Sequence, residues 1–393
     1  MNGSRQGLRW TKPLLSFSNR YPWHARQNKL GEALAARRAS GRPLIDLSLS
    51  NPTQASIALP DPFLIANLKV DPYAPQAKGA AQTREQVALY YEQEFSARIS
   101  PDRILLTTST SEAYSYCFKL IASPGDSILI PQPSYPLLQF LIEAEGLEAR
   151  PYPLHQADGE WLLDREGLAR ACNETTRAII LVHPNNPTGH FLKTDDLNWL
   201  IEFSADRLWL ISDEVFADYA WSAGSTHIRS LTQIEAPNVF SLSGLSKICA
   251  LPQMKLGWIV MPENPTVHNH LELVADTYLS VSSPIQQAAA SWLAQRAQFQ
   301  APIRERCFSN LQAIPSQVKN SPWSLLPVEA GWTAILRGPA EGDEEAFVLR
   351  LLERDVSVHP GFYYDLPFQN SLVISLLTPP HQMISGVETI ISS

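Results

Sequence analysis

Short apolar runs of four to six residues alternate with longer stretches whose apolar positions recur every three or four residues, and this rhythm fills the middle of the chain. Short runs bounded by turn residues predict buried strands, and the periodic stretches predict helices. The strand-like runs lie at 104–108, 127–130, 177–182, 208–212 and 238–242. Strands apolar on both faces and separated by helices predict a mostly parallel sheet covered on both sides.

The flanks read differently. Residues 27–40 predict a helix that Gly41, Arg42 and Pro43 end, and 44–50 alternates like a strand before a turn at Asn51, Pro52 and Thr53. A second helix is expected through 83–91, after an irregular proline-rich passage. Towards the C-terminus, 302–318 reads as a rather polar helix, and strand-like pieces at 332–336 and 372–377 surround a helix at 344–353. The expected division is 1–50 for an N-terminal arm and the first part of a small domain, 51–300 for a large domain, and 301–393 for the small α+β C-terminal domain.

Composition narrows the function classes. A chain of 393 residues, 45% hydrophobic, is long enough for two cores. A net charge of -8 argues against nucleic acid as the main partner, and against an anionic membrane surface. No apolar run has the length to cross a bilayer, and the N-terminus lacks the apolar centre of a secretory signal, so a cytoplasmic location is expected. Cys117, Cys172, Cys249 and Cys307 are scattered without metal-binding spacing and read as buried thiols.

The chemistry-bearing residues follow the strands. In parallel sheets ligands sit beyond the carboxyl ends of the strands. Ser109 and Thr110, Tyr135, Asn186, Asp213 and Lys247 each follow a predicted strand, so all would face one crevice. A helix start rich in hydroxyls suits a phosphate, and Lys255 could add charge. Tyr135 could stack on a flat ring, Asp213 could pair with a protonated ring nitrogen, and Asn186 could donate to a ring oxygen. Lys247 could form an imine with a carbonyl. Together these groups describe pyridoxal 5'-phosphate. Each has a plainer reading: Lys247 as a surface lysine in a serine-rich loop, His183 and His359 as structural, and Trp258 and Trp332 as core.

From about residue 44 onward the sequence resembles the class I/II aminotransferases, the pyridoxal-phosphate-dependent family with the aspartate-aminotransferase fold, known as fold type I. The matching pieces are NNPTG at 185–189, Ser212-Asp213-Glu214, the stretch from Ser243 through Lys247 to Gly257-Trp258, and Gly125-Asp126 leading to Pro133-Ser134-Tyr135. The resemblance implies that Lys247 is the Schiff-base lysine and proton shuttle. It implies that Asp213 keeps the ring nitrogen protonated, that Asn186 contacts the ring hydroxyl and that Tyr135 stacks on the ring. Thr108, Ser109 and Thr110, with Lys255 and either Ser243 or Ser246, would hold the phosphate. Tyr73 matches a tyrosine that reaches the phosphate from a partner subunit, which implies a homodimer with shared sites.

Four positions depart from the family pattern. Phe216 stands where a tyrosine usually touches the ring oxygen, which should raise the imine pKa. Lys255 replaces an arginine, and Gly244 replaces a serine. Val373 stands where an arginine usually takes the substrate's α-carboxylate. Arg20, Arg26 or Lys78 could supply that charge, and no Arg or Lys occurs in 275–284 for a distal carboxylate. The activity implied is transfer of an amino group from an amino acid to a 2-oxo acid by a ping-pong course. Alternatives are a lyase or decarboxylase of the same fold, an amine transaminase, or a non-catalytic pyridoxal-phosphate-binding protein.

Overall fold

The computed structural model describes residues 17–18, 20–21, 28–66, 68, 71–157, 159–221, 228–339 and 342–393. Most of the expected N-terminal arm, and Arg26, lie outside them. In chain order the strands are β1 (Ile45–Asp46), β2 (Ile104–Thr107), β3 (Ser127–Gln132), β4 (Glu148–Ala157), β5 (Glu160–Leu163), β6 (Thr176–Val182) and β7 (Trp209–Asp213). They continue with β8 (Val239–Gly244), β9 (Gly257–Val260), β10 (Ser324–Leu325), β11 (Thr333–Arg337), β12 (Val356–Ser357), β13 (His359–Pro360) and β14 (Ser371–Ser375).

Eight of these form one sheet in the order β2-β9-β8-β7-β6-β3-β4-β5. The pairings β8 with β7, β7 with β6, β6 with β3 and β3 with β4 are parallel. Antiparallel pairs flank them on both sides. The centre is the expected parallel sheet, and β4, β5 and β9 extend it.

Direction and register then decide what meets at the sheet's edge. Because β9 runs antiparallel to both β8 and β2, strand β2 points the same way as β8. Thr107 pairs with Gly257, Gly257 with Gly244, Leu242 with Asp213, and Asp213 with Val182. One edge therefore gathers the carboxyl ends of β2, β8, β7 and β6 and the start of β9. Alternation along the strands sends Leu105 and Ile259 into one apolar cluster and Ile104, Leu106, Trp258 and Val260 into another, so both faces are covered. Trp258 is core, as expected, with its indole N–H donating to Tyr91 Oη at 3.1 Å.

A second sheet, β10-β11-β14-β13, lies among the C-terminal helices Arg296–Val318, Glu344–Glu353 and Pro380–Ile391. The N-terminal helix Lys29–Ala39 packs into the same apolar cluster through Leu30, and β1 pairs in parallel with β12. The strand expected at 44–50 is only two residues long. Beyond Asp46 the chain leaves that ladder for β14: the Leu47 carbonyl accepts from Ser375 N–H at 2.7 Å, and the Leu49 carbonyl accepts from the Ser375 hydroxyl. Among the described residues no helix is long and apolar enough to cross a membrane.

The backbones of β8 and β9 meet closely at the strand-end edge. A Cβ on Gly244 would lie 2.8 Å from the Leu256 carbonyl oxygen and 2.9 Å from Gly257 Cα. Backbone, unlike a flexible side chain, has little room to yield. Gly244→Ala is expected to cost about 1–3 kcal/mol through forced backbone shifts. Denaturant unfolding of the variant checks this, and an unchanged midpoint would show that the two strands can part freely.

Candidate active site

Between the strand-end edge of the large sheet and the second sheet lies a cavity of about 570 Å³. Ser109, Thr110, Tyr135, Asn186, Asp213, Ser246, Lys247 and Lys255 line it from the large sheet. Trp332, Thr333, His359, Tyr364, Val373 and Ser375 line it from the other side, with Ser48 and Ser50 from the segment after β1. Eight sequence-predicted residues therefore share one space although they come from five separate loops.

Lys247 is held through its backbone, and its amine lies against two aromatic rings. It sits on the helical turn Leu245–Ile248 directly after β8, and its backbone carbonyl accepts from Tyr219 Oη at 2.8 Å. Its Nζ lies 4.9 Å from the centre of the Trp332 ring and 5.5 Å from that of Phe216. Removal from water lowers its pKa from 10.5 to about 8, and the charge of Asp213 opposes that shift. A useful share of the amine is thus neutral at physiological pH.

Asp213 ends β7 and is buried. One carboxylate oxygen accepts from Val215 N–H at 3.2 Å and the other from Tyr114 Oη at 3.1 Å. Burial raises its pKa from 3.8 to about 6, while those two donors and Lys247 hold it down. Asn186 follows β6, and its Oδ1 is buried without a hydrogen-bond partner. The neighbouring Asn185 secures the loop, its Nδ2 donating to the Pro133 carbonyl at 3.3 Å and its backbone N–H to the His190 carbonyl at 2.9 Å.

The helix Thr110–Ile121 opens at the cavity, and Ser109 caps it by accepting from Glu112 N–H. Helix N-terminal N–H groups, Ser246 and Lys255 together suit an anion. Two phosphate candidates do not line the cavity. Thr108 gives its backbone N–H to Glu112 Oε2 at 2.7 Å, and Ser243, still within β8, is buried with an unpartnered hydroxyl. Tyr73 is 75% exposed and lines a different cleft, beside Ala275, Leu279 and Ser280.

Other residues depart from their plain readings or were not singled out. Trp332 is buried core, as expected, and also borders the cavity, while His359, which had a structural reading, lines the cavity wall. Tyr114, which steadies Asp213, gave no sequence signal beyond its place on an apolar helix face. Neither Arg20 nor Lys78 reaches the cavity: Arg20 Nη1 contacts the Ala144 carbonyl, and Lys78 lies 3.8 Å from Glu272.

These residues fit pyridoxal phosphate. The site offers an unpartnered acceptor at Asn186, a buried carboxylate, an amine of lowered pKa and a helix N-terminus beside a lysine. Residues 64–390 match the profile of aminotransferase class I and II. The chain belongs to that family. It is similar to human tyrosine aminotransferase, 24% identical over 370 residues, covering 86% of this chain and 80% of that protein. It is 30% identical over 194 residues to the S-alkyl-thiohydroximate lyase of Arabidopsis thaliana, covering 49% and 41% of the two chains. Its fold is that of the alanine aminotransferase of Pyrococcus furiosus, with a TM-score of 0.83, 21% identity, and coverage of 96% and 100%. This aminotransferase is accordingly a pyridoxal-phosphate-dependent transferase of fold type I, and its substrates are an amino acid and an oxo acid.

The signs of the two shifts set its pH behaviour in the cofactor-free state. Lys247, with a folded pKa below its ordinary value, weakens folding at neutral pH, and that cost disappears as pH rises from 8 to 10.5. Asp213, with a folded pKa above its ordinary value, favours folding at low pH, and that gain is lost as pH rises from 3.8 through 6. About one amine in ten is neutral a full unit below the pKa. The rate at which the cofactor-free aminotransferase takes up pyridoxal phosphate is expected to rise about tenfold per unit below pH 8 and to level above it. Stopped-flow absorbance checks this, and a rate that goes on rising about tenfold per unit from pH 8 to 10 would contradict the lowered pKa.

Proposed function

We propose that Lys247 holds the cofactor covalently and moves the proton in an amino-group transfer between an amino acid and a 2-oxo acid. The observation that carries this reading is one cavity in which Lys247 and Asp213 face each other's charge at the ends of adjacent strands. Pyridoxal phosphate supplies, when bound, the aldehyde that receives the amino group and the ring that draws off electrons from the substrate's α-carbon.

This chain's residues do the rest. Lys247 Nζ, with its lowered pKa, would be the amine that takes the proton from the substrate's α-carbon and returns it elsewhere. Asp213 would keep the ring nitrogen cationic, with Tyr114 and the Val215 N–H holding the carboxylate in place. Asn186 would pair with the ring oxygen, and Tyr135 would cover one ring face. Phe216 brings no hydroxyl to that oxygen. The helix N-terminus at Ser109 and Thr110, with Ser246 and Lys255, would take the phosphate. Lys255 acts there as a point charge, where a guanidinium would be a bidentate fork.

The proposal includes a homodimer in the cytoplasm. Phe63, Leu64, Tyr73 and Leu273 are each more than 60% exposed, and a second copy would cover such apolar surface. Tyr73 would then complete its partner's site. The proposed small domain, 1–50 with 301–393, is supported by the pairing of Ile45 with Val356 and would close over the large domain, 51–300.

A second reading, elimination in place of transfer, is favoured by one observation: Val373 brings no cation to the substrate wall. The named activity of the Arabidopsis relative is of that kind.

Lys247→Ala is expected to abolish the visible absorbance of the lysine-linked cofactor and to lower turnover by at least 10⁴-fold, and Asp213→Asn to lower turnover about 10²–10⁴-fold with the cofactor still bound. Spectra and product assays on a panel of amino acids check both. Oxo-acid-dependent turnover supports transfer, whereas product formed without an acceptor supports elimination. A normal spectrum in Lys247→Ala would sink the site.

A further inference from the structure

We infer that His359, held by Tyr364, is the residue that receives the substrate's carboxylate in this chain. The inference rests on the aminotransferase reading above and assigns its substrate anchor.

Val373 and His359 are direct cross-strand partners in the antiparallel pair β14 with β13. Directly opposed residues project to the same face, with Cβ atoms about 4.5–5.5 Å apart. Both line the cavity. A short side chain at 373 leaves space on that face, and the imidazole opposite is the group placed to use it.

Among the described residues, His359 is the one side chain of this wall able to become a cation. Among the described residues no arginine lines the cavity, and its two lysines, Lys247 and Lys255, belong to the opposite wall. The hydroxyls beside Val373 donate elsewhere. Ser48 gives its proton to Asp46 Oδ1, Ser375 to the Leu49 carbonyl, and Thr333 to the Pro187 carbonyl at 3.0 Å. An anion needs donors, and those three protons are engaged, which leaves the neutral hydroxyl of the exposed Ser50 and the His359 ring.

His359 differs. Its Nδ1 lies 2.9 Å from Tyr364 Oη. We assign the phenol as the donor to Nδ1, the tautomer that puts the ring hydrogen on Nε2, for which no hydrogen bond occurs among the described residues. Tyr364 is itself fixed, because its carbonyl accepts from Ser134 N–H at 3.1 Å, next to Tyr135. The pair thus presents a positioned donor from a braced ring. Burial keeps the imidazole pKa below 6.5, and Asp46 on β1 is the charge that opposes this. An arriving carboxylate favours the cationic ring further.

The test uses the cofactor-loaded aminotransferase and compares amino acids with the amines that lack their α-carboxylate. Alanine is set beside ethylamine, glutamate beside 4-aminobutyrate, and phenylalanine beside phenethylamine. Binding is read as the change in visible absorbance. The wild type is expected to bind at least one amino acid more than tenfold tighter than its amine. His359→Leu, which removes every donor at that position, is expected with unchanged resting absorbance to bring that ratio near one. Tyr364→Phe, which keeps the ring and removes the hydrogen bond, is expected to lower it severalfold. Should His359→Leu fail to fold, Tyr364→Phe alone decides between the outcomes. A preference that survives in these variants overturns the inference and leaves the aminotransferase reading standing. Equal binding of amine and amino acid by the wild type overturns it as well, since no carboxylate anchor would then exist. If neither class of ligand moves the absorbance, the aminotransferase reading fails and the inference falls with it.

Discussion

An amine and a carboxylate are removed from water in the same cavity, and most of the site's arrangement answers to that constraint. Burial alone would make both groups neutral. The charge of Asp213 opposes this for Lys247, which falls to about pKa 8, and Asp213 rises to about 6, held down first by the Val215 N–H, then by the Tyr114 hydroxyl and by Lys247. The aromatic faces of Trp332 and Phe216 lie against the lysine and exclude water while still tolerating a cation. The Tyr114 hydroxyl and the Val215 N–H perform the matching task for the aspartate. Remove either charge and the other is left uncompensated at a strand end.

That electrostatic balance depends on strand direction and register. β9 returns between β2 and β8, so two strands that are not neighbours run the same way and end at one edge. Gly244 and Gly257 permit the close approach that lets the Ser109 helix start and the Lys247 turn face the same space. The local sequence reflects this: hydroxyl residues at a helix start, a lysine after a glycine, and an aspartate closing an apolar run.

Such local signals explain what could be read from the sequence. Asp213 closes a recognisable apolar run, Asn186 and Lys247 each follow one, and the strand-end rule places them without knowing the neighbours. Ser243 and Thr108 were harder, because a shift of one or two residues at a strand end decides which way a hydroxyl points. Strands β5 and β9 are only four residues long, and β4 mixes charged residues and prolines into its run, so their pattern is weak. His359 and Trp332 were not legible as cavity residues at all. Their place depends on the pairing of β13 and β11 with β14, which is a long-range fact that neither segment records. Tyr73 carries a role only if a second chain is present. The 44–50 alternation was real, yet its later residues bond to Ser375 instead of continuing the ladder.

The segment Asp46 to Ser50 ties the N-terminal part of the chain to β14, and its hydroxyls and carbonyls absorb the hydrogen-bonding capacity of the substrate wall. The opposite wall comes from different strands and has its own bonds. Mutation can therefore reshape one wall while the other keeps its chemistry, so a lineage carrying this chain could change the molecule it acts upon without ever passing through a form unable to keep its cofactor.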